Sequence, residues 1–178
     1  MKILVVGLGN VGEQYSKTRH NIGWMFLDTL HNENNHDFSN WRTCHKNCES
    51  SVGSYLEHTI TLLKPLTMMN NSGDAVKNML DYCTYDAVIV VHDEMDIPFG
   101  DVRKKFGGSR ADHRGLRDVV RAMETHDFYR IRCGIGRPEN NTSVLEHVLS
   151  NFSNVERESI ELFISNITIT FNDILNSI

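Results

Sequence analysis

The sequence predicts an α/β fold, with residues 1–178 forming a single layered domain in which helices flank a mostly parallel, mixed β-sheet. Continuous apolar runs at residues 2–6 and 87–91 are typical of strands that are buried on both faces. Helix-like stretches alternate with such runs along the chain, and hairpin-like segments in its middle favour a mixed sheet. With 178 residues and 40% hydrophobic content, the chain can bury one sizeable core.

The remaining elements are read from local periodicity and from turn residues. Alternating polar and β-branched residues indicate strands, whereas glycine-rich and asparagine-rich stretches indicate turns and loops. In chain order these are a turn from Gly7 to Gly12, a helix through Trp24 and Leu30, a loop at 32–40, two or three strands within 41–63, a helix at 71–83, and strands at 102–106 and 130–135.

Two further helical stretches are predicted, one before the strand at 130–135 and one after it. The first is amphipathic, because its apolar positions recur at helical spacing; these are Leu116, Val119, Val120 and Met123. Three arginines recur on its other side; these are Arg114, Arg117 and Arg121. From residue 154 onward we expect one long helix or two short ones, with a buried face formed by Val155, Ile160, Phe163, Ile167 and Ile174.

Charge is distributed unevenly along the chain. The net charge is −5, which argues against a general nucleic-acid-binding protein. Residues 101–137, however, carry ten Lys and Arg against five Asp and Glu, which leaves eight basic and eighteen acidic residues elsewhere. This segment of the sequence is therefore expected to meet an anion.

The N-terminal run is short and ends in Gly-Leu-Gly-Asn, so it is interpreted as a buried strand rather than a signal peptide, and no membrane-spanning segment is expected. Four cysteines without an export signal are expected to be reduced thiols in a cytoplasmic protein. A zinc site formed by Cys44, Cys48 and the nearby His36 and His45 is disfavoured, because structural zinc sites usually have two repeated ligand pairs.

The segment from Gly7 to Gly12 has the spacing of a dinucleotide-binding fingerprint and follows a predicted strand. That fingerprint also requires a second parallel strand ending in an acidic residue about 20 positions later. Here that region is the polar loop at 32–40, so a nicotinamide cofactor is disfavoured and no cofactor is expected.

A more specific set of motifs runs through nearly the whole chain. These are Gly9-Asn10, Tyr15, Thr18-Arg19-His20-Asn21-x-Gly23, Lys64-Pro65-x-Thr67-x-Met69-Asn70-x-Ser72-Gly73, His92-Asp93-Glu94-x-Asp96-x-Pro98-x-Gly100 and Gly134-Ile135-Gly136-Arg137-Pro138. In this order they resemble the bacterial-type peptidyl-tRNA hydrolase family. The resemblance implies hydrolysis of the ester bond between a peptide and the 3′ ribose of tRNA, without a metal ion.

The chemistry of two residues fits such a reaction. An imidazole ionises near neutral pH, so His20 is the best candidate for a general base. Asp93 follows a buried strand, where α/β proteins place functional groups, and a carboxylate there can hold the other ring nitrogen of His20. A metal or glycosidase site built on Asp93 and Asp96 would not explain the neutral amides that accompany them.

Substrate contacts are assigned in part from side-chain chemistry and in part from the resemblance. Asn10 and Asn70 offer uncharged N–H donors for the peptide and for a developing oxyanion. The resemblance adds further substrate-binding positions, which are Tyr15, Met69, His113 and Arg114. It also implies that Lys105 and Arg132 hold tRNA phosphates at the acceptor stem, and Arg117 and Arg121 would add to the positive field.

The chain departs from the family pattern at 109–114, where the family has two more glycines and then His-Asn-Gly-Leu. Arg114 replaces the asparagine, which contributes to the family's site by hydrogen bonding, and arginine donates but cannot accept hydrogen bonds. The alternative function is therefore a homologue that binds RNA without efficient hydrolysis, as in a plant-organelle relative that acts in intron splicing. A monomeric hydrolase is the favoured interpretation, because His20, Asp93, Asn10 and Asn70 are all present.

Overall fold

The computed structural model describes residues 1–108 and 112–178, which form a seven-stranded mixed sheet with helices on both faces. The strand order is β2-β3-β4-β1-β5-β7-β6. The strands are β1 Lys2–Gly7, β2 Arg42–Cys44, β3 Cys48–Tyr55, β4 His58–Pro65, β5 Ala87–Glu94, β6 Val102–Phe106 and β7 Tyr129–Gly134. The predicted α/β fold with a mixed sheet is therefore confirmed.

The parallel part of the sheet lies at its centre. Strand β1 pairs in parallel with β4 and β5, and β5 pairs in parallel with β7. The outer pairings, β2 with β3, β3 with β4 and β6 with β7, are antiparallel. The carboxyl ends of the central parallel strands meet at one edge of the sheet, where an α/β protein places its ligands.

Helices cover the sheet in two layers. They are α1 Ile22–Glu33, α2 Ser72–Tyr82, α3 Arg114–Met123, α4 Val144–Leu149, α5 Asn154–Glu158 and α6 Ile160–Leu175. Helices α1 and α6 pack on one face against alternate strand residues such as Val5, Val91 and Ile131. Helices α2 and α3 pack on the other face, against residues that include Val6 and Val90.

The connection after α1 differs from the parallel connection that a dinucleotide-binding fingerprint requires. After α1 the chain enters β2, which pairs antiparallel with β3 at the edge of the sheet rather than beside β1. Gly23 of α1 instead packs directly on the glycine-rich turn, since a Cβ at Gly23 would lie 2.7 Å from the Leu8 nitrogen. The glycines therefore bring α1 close to β1 and β5.

The C-terminal prediction was correct in part. Two helices, α5 and α6, meet at Ser159, and Phe163, Ile167 and Ile174 are buried as expected. Val155 is 75% exposed, so its assignment to the buried face was wrong. A capping box at Ser153 starts α5 separately, which sets the rotation of this helix independently of α6.

The expectation of four free thiols is corrected by the β2–β3 hairpin. Its register places Cys44 directly opposite Cys48, with 5.3 Å between the Cα atoms, and the two sulfurs form a disulfide. Cys83 and Cys133 are free. Within the described ranges, no helix is both long enough and apolar enough to cross a membrane.

Candidate active site

Two predicted catalytic residues meet at the carboxyl end of β5. His20 lies in a 3₁₀ turn, Arg19–Asn21, immediately before α1, and Asp93 is the penultimate residue of β5. The Nδ1 atom of His20 lies 2.8 Å from Oδ1 and 2.9 Å from Oδ2 of Asp93. The ring therefore presents its Nε2 atom away from the carboxylate.

A second imidazole contacts the same carboxylate. His113 caps the N-terminus of α3, where its Nδ1 atom accepts a hydrogen bond from the Leu116 amide at 3.2 Å. Its Nε2 atom lies 2.7 Å from Oδ1 of Asp93. Because Nδ1 of His113 accepts, Nε2 carries the proton and donates it to the carboxylate. His113, predicted to bind substrate, thus supports Asp93.

Asp93 is held in its ionised form. Burial alone would raise the pKa of this carboxyl group, but the positive character of His20 and His113 and the hydrogen bonds from them outweigh burial and hold its pKa well below the usual range. An ionised carboxylate accepts hydrogen bonds only, so Nδ1 of His20 carries the proton of this contact, and in the neutral imidazole Nε2 is then the unprotonated nitrogen. The geometry therefore leaves Nε2 of His20 free to accept a proton.

Asn10 is fixed by its backbone and by its side chain. Its amide donates to Oδ1 of Asn21 at 2.9 Å, and its carbonyl accepts from Nδ2 of Asn21 at 3.0 Å. Its own Oδ1 accepts from the Met69 amide at 2.6 Å. Since the carbonyl end of the Asn10 side chain is engaged, its NH₂ group is the end that can serve a substrate.

Met69 and Asn70 lie in the 3₁₀ turn Met69–Asn71 that follows β4. Met69 is buried and packs on α3, where a Cβ added to Gly115 would lie 2.4 Å from its sulfur. Asn70 is exposed. The structure thus places the Asn70 amide at the surface beside the anchored Asn10 and Met69.

Two other predicted substrate-binding residues lie near these turns. Tyr15 ends a 3₁₀ turn, is half-buried, and accepts hydrogen bonds from the amide and hydroxyl of Thr18 through its backbone carbonyl. Arg114 is the first residue of α3 and is exposed. The substituted stretch at 109–111 lies outside the described residues.

The predicted phosphate-binding pair lies on the antiparallel strands β6 and β7. Lys105 is exposed on β6, and Arg132 on β7 is opposite Arg103. Paired residues of neighbouring strands share a face, so these three side chains lie on the face that α3 covers. Arg132 also contacts Glu94 at 3.1 Å, which neutralises part of its charge.

The arginines of α3 differ in their surroundings. Arg117 is exposed. Arg121 pairs with Asp118 at 2.7 Å and with Asp74 at 3.4 Å, so it is surrounded by acidic groups that lower its attraction for phosphate. Arg117 is therefore better suited than Arg121 to an RNA contact.

The structure assembles one group of side chains with the ligand types of a metal site within its described residues. The nearest ligand atoms of His20, Asp93 and His113 all lie within 4.8 Å of one another. Two histidines and a carboxylate are a donor set that zinc accepts. The same atoms already satisfy one another as hydrogen-bond partners, and the absence of a metal from the reaction stays a prediction.

Three residues of structural importance to the site were not assigned roles from the sequence. Asn21 holds the backbone of Asn10, whereas Arg19 reaches Glu156 in α5. Asn21 and Arg19 flank His20 within its motif, so adjacency was a usable signal for both. Glu156 is 137 residues from Arg19, and no local pattern could have joined them.

Comparisons with known proteins identify one family over nearly the whole chain. The model of the family described as peptidyl-tRNA hydrolase matches residues 4–177. A peptidyl-tRNA hydrolase of Persephonella marina is 40% identical over 167 residues, which cover 90% of this chain and 84% of that protein. One from Francisella tularensis subsp. novicida is 38% identical over 97% of this chain and 91% of that protein.

A solved structure extends the agreement to the fold. The crystal structure of peptidyl-tRNA hydrolase from Acinetobacter baumannii matches with a TM-score of 0.83 and 32% sequence identity, and the match covers 98% of this chain and 90% of that chain. The family model, the sequence relatives and this structure all span nearly the full length. The chain therefore belongs to the peptidyl-tRNA hydrolase family.

Proposed function

We propose that this member of the peptidyl-tRNA hydrolase family cleaves the ester bond between a peptide and the 3′ ribose of tRNA, with His20 as general base and Asp93 as the group that orients it. The observation that carries the assignment is the contact of Nδ1 of His20 with Asp93 at 2.8 Å. It leaves the unprotonated Nε2 atom of a half-buried imidazole available to a water molecule.

In the proposed reaction, Nε2 of His20 takes a proton from water as the water oxygen attacks the ester carbonyl carbon. Asp93 stabilises the imidazolium that forms. The bond to the ribose oxygen then breaks, and the imidazolium returns its proton to that oxygen. The products are a free peptide carboxylic acid and tRNA with an intact 3′ hydroxyl, so no cofactor is required.

Substrate positioning is assigned to the surrounding turns. The NH₂ group of Asn10 and the exposed amide of Asn70 would donate to the peptide and to the developing oxyanion. Tyr15 and Met69 would line the peptide side, and Arg114 would contact the 3′ end of the tRNA. His113 would act through Asp93 rather than on the substrate.

The tRNA acceptor stem is assigned to the surface formed by Lys105, Arg132 and Arg117. Lys105 and Arg132 lie on the face of the sheet that α3 covers, and Arg117 lies on α3 itself, whose N-cap residue His113 contacts Asp93. Phosphate contacts of this kind position the nucleic acid without reading its sequence. We further propose that residues 1–178 act as one monomeric domain in the cytoplasm, where peptidyl-tRNA is produced.

The alternative, an RNA-binding homologue without hydrolysis, has no specific observation in its favour. The alternative arises because Arg114 replaces the asparagine of the family, and this residue lies outside the contact between His20 and Asp93. Both catalytic groups can therefore keep their arrangement whatever side chain stands at position 114.

The test is release of the peptide from N-blocked aminoacyl-tRNA by the purified protein. His20→Ala should slow release by about 10²- to 10⁴-fold, because the general base is lost. His36→Ala, which removes an exposed histidine of the loop after α1, is the matched control and should keep the wild-type rate. EDTA should not change the rate. Release that needs an added metal, or a fully active His20→Ala variant, would refute the assignment.

A further inference from the structure

Arg19, the residue before His20, is buried and makes several hydrogen bonds with the α4–α5 segment, residues 144–158. Its Nη1 atom donates to the hydroxyl of Ser150 at 2.8 Å and to the carbonyls of Asn151 and His147 at 3.1 and 3.2 Å. Its backbone amide donates to the Ser150 carbonyl at 3.1 Å. Both the side chain and the backbone of Arg19 thus anchor the turn that carries His20.

The second half of the guanidinium is held by Glu156. Nη2 lies 2.7 Å from Oε2, and Nε lies 3.4 Å from Oε1, which is a two-point contact. Oε2 also accepts from the Ser153 amide at 2.6 Å in the capping box of α5. Since the capping box orients the carboxylate, Glu156 offers Arg19 a fixed partner rather than a mobile surface charge.

The α4–α5 segment is connected to the sheet that carries Asp93. Nε2 of His147 in α4 lies 2.9 Å from the Gly136 carbonyl and 3.2 Å from the Ile135 carbonyl, just beyond the end of β7. Strand β7 pairs with β5, with Cys133 in register with Asp93. Arg19 therefore joins the turn of His20 to the sheet of Asp93 through a second route, separate from the His20–Asp93 contact.

His20 is consequently held from both sides in the chain. Arg19 fixes it to the α4–α5 segment, and Asn21 fixes it to the backbone of Asn10. Substrate is not needed for either contact, so both can set the position of the imidazole before the substrate arrives. Effects of this kind are large in enzymes, because a displacement of about 1 Å can lower the rate by about 10²-fold.

We propose that the Arg19–Glu156 pair is a positioning element that keeps Nδ1 of His20 on Asp93 and thereby keeps Nε2, the acceptor nitrogen of the neutral ring, aimed at the attacking water. This inference rests on the proposed role of His20 as general base. The pair contacts neither Asp93 nor the Asn10 turn directly, so it acts through the backbone of residues 19–21.

The experiment compares Arg19→Met, Arg19→Lys, Glu156→Gln and the double variant Arg19→Met/Glu156→Gln with the wild type. The matched control is Arg157→Met, since Arg157 is the next residue of α5, is exposed, and its guanidinium donates only to the side chain of Asn154 among the described residues. Peptide release gives kcat and KM, circular dichroism checks folding, and ¹⁵N spectra of the imidazoles report which nitrogen of His20 carries the proton.

Arg19→Met should lower kcat by about 10- to 100-fold, with KM changed by less than about twofold, because tRNA binding does not involve this residue. Its ¹⁵N spectrum should show His20 losing the single form protonated at Nδ1. Arg19→Lys should recover part of kcat, because an ammonium can pair with Glu156 but cannot span the other acceptors. The double variant should lose no more than Arg19→Met, as expected for residues that act as a unit.

If Arg19→Met does not fold, Glu156→Gln tests the proposal in its place, because the Glu156→Gln variant keeps the contacts of Arg19 with the backbone carbonyls. Wild-type kcat and an unchanged His20 spectrum in folded Arg19→Lys and Glu156→Gln would overturn the proposal, as would a lower melting temperature without any change in kcat. The proposed function fails separately, if the wild type releases no peptide. The His20 spectrum would still report on Arg19 in that case.

Discussion

Replacing His92 by asparagine should remove much of the loss of stability that the protein suffers between about pH 6 and pH 4.5. His92 lies on β5 next to Asp93 and is 2% exposed. Burial, followed by repulsion from the protonated form of His113 and from Arg130, lowers its pKa from 6.5 to about 3, although the carbonyl and carboxylate of Asp93 oppose this shift. His92 is therefore neutral in the folded protein throughout this range.

The sign of the effect follows from which state binds the proton. The unfolded chain protonates His92 below about pH 6.5, and the folded protein does so only near pH 3, so acidification favours unfolding between these values. Integrated from about pH 6 to pH 4.5, this one group costs about 2 kcal/mol of stability. The depressed pKa of Asp93 acts mainly below the ordinary value of 3.8, and so outside the window.

The assay is urea unfolding followed by the fluorescence of Trp24 and Trp41, at both pH values. Asparagine can keep the hydrogen bond from Nδ1 of His92 to the Asp93 carbonyl, which is 2.8 Å long, without taking up a proton. Phe128→Leu is the matched control, because it creates a cavity in the same core and should lower stability equally at both pH values. If His92→Asn loses as much stability on acidification as the wild type, the assignment to His92 is wrong.

Three further predictions concern the site and the RNA surface. Asp93→Asn should slow peptide release by up to about 10⁴-fold, because an amide no longer fixes the tautomer of His20; near-wild-type release would exclude this role. Asn21→Ala should lower the free energy of unfolding by about 2–3 kcal/mol in urea titrations, because two buried backbone groups of Asn10 lose their partners; an unchanged midpoint would contradict it. Lys105→Glu should weaken tRNA binding and reduce the slope of log Kd against log salt concentration by about one, measured by fluorescence anisotropy. Lys46→Glu, on the exposed β2–β3 turn at the opposite edge of the sheet, should leave that slope unchanged.

Much of the fold was predictable because its signals are local. The apolar run at 87–91 is one strand of a parallel centre, where both faces are buried and every position is apolar. The spacing of Leu116 and Val119 likewise placed α3, because a single stripe of that helix faces the core. Each prediction depended on the environment of one element and not on its partners.

Features that depend on long-range packing were not predictable in the same way. Val155 has the helical spacing of a core residue, but the capping box at Ser153 gives α5 its own orientation and leaves that side chain exposed. The pairing of Cys44 with Cys48 depends on the register of a hairpin, which composition does not reveal. The contact of Arg19 with Glu156 joins residues that are 137 positions apart.

The residues of the candidate site also fall into two groups, those predicted from local signals and those whose contacts depend on long-range packing. His20 and Asp93 were predicted from side-chain chemistry and from the motifs that carry them, and the structure brings them into contact. The substrate-binding role of His113 stays a prediction, and the structure adds that its ring lies between the Leu116 amide and Asp93. Sequence identifies which residues belong near the reaction, whereas the order in which they contact one another requires the fold.

The residue at position 114 affects which hydrogen-bond acceptors the site offers to a water molecule. Arginine is a donor only, so Arg114 cannot accept a hydrogen bond from the attacking water. The side-chain oxygen of Asn10 is already bonded to the Met69 amide at 2.6 Å. In the proposed mechanism, Nε2 of His20 accepts from the water, and we assign the second acceptor to the carboxamide oxygen of the exposed Asn70. Placement of the water in this protein should therefore depend on Asn70, and so on the turn after β4, because position 114 supplies no acceptor.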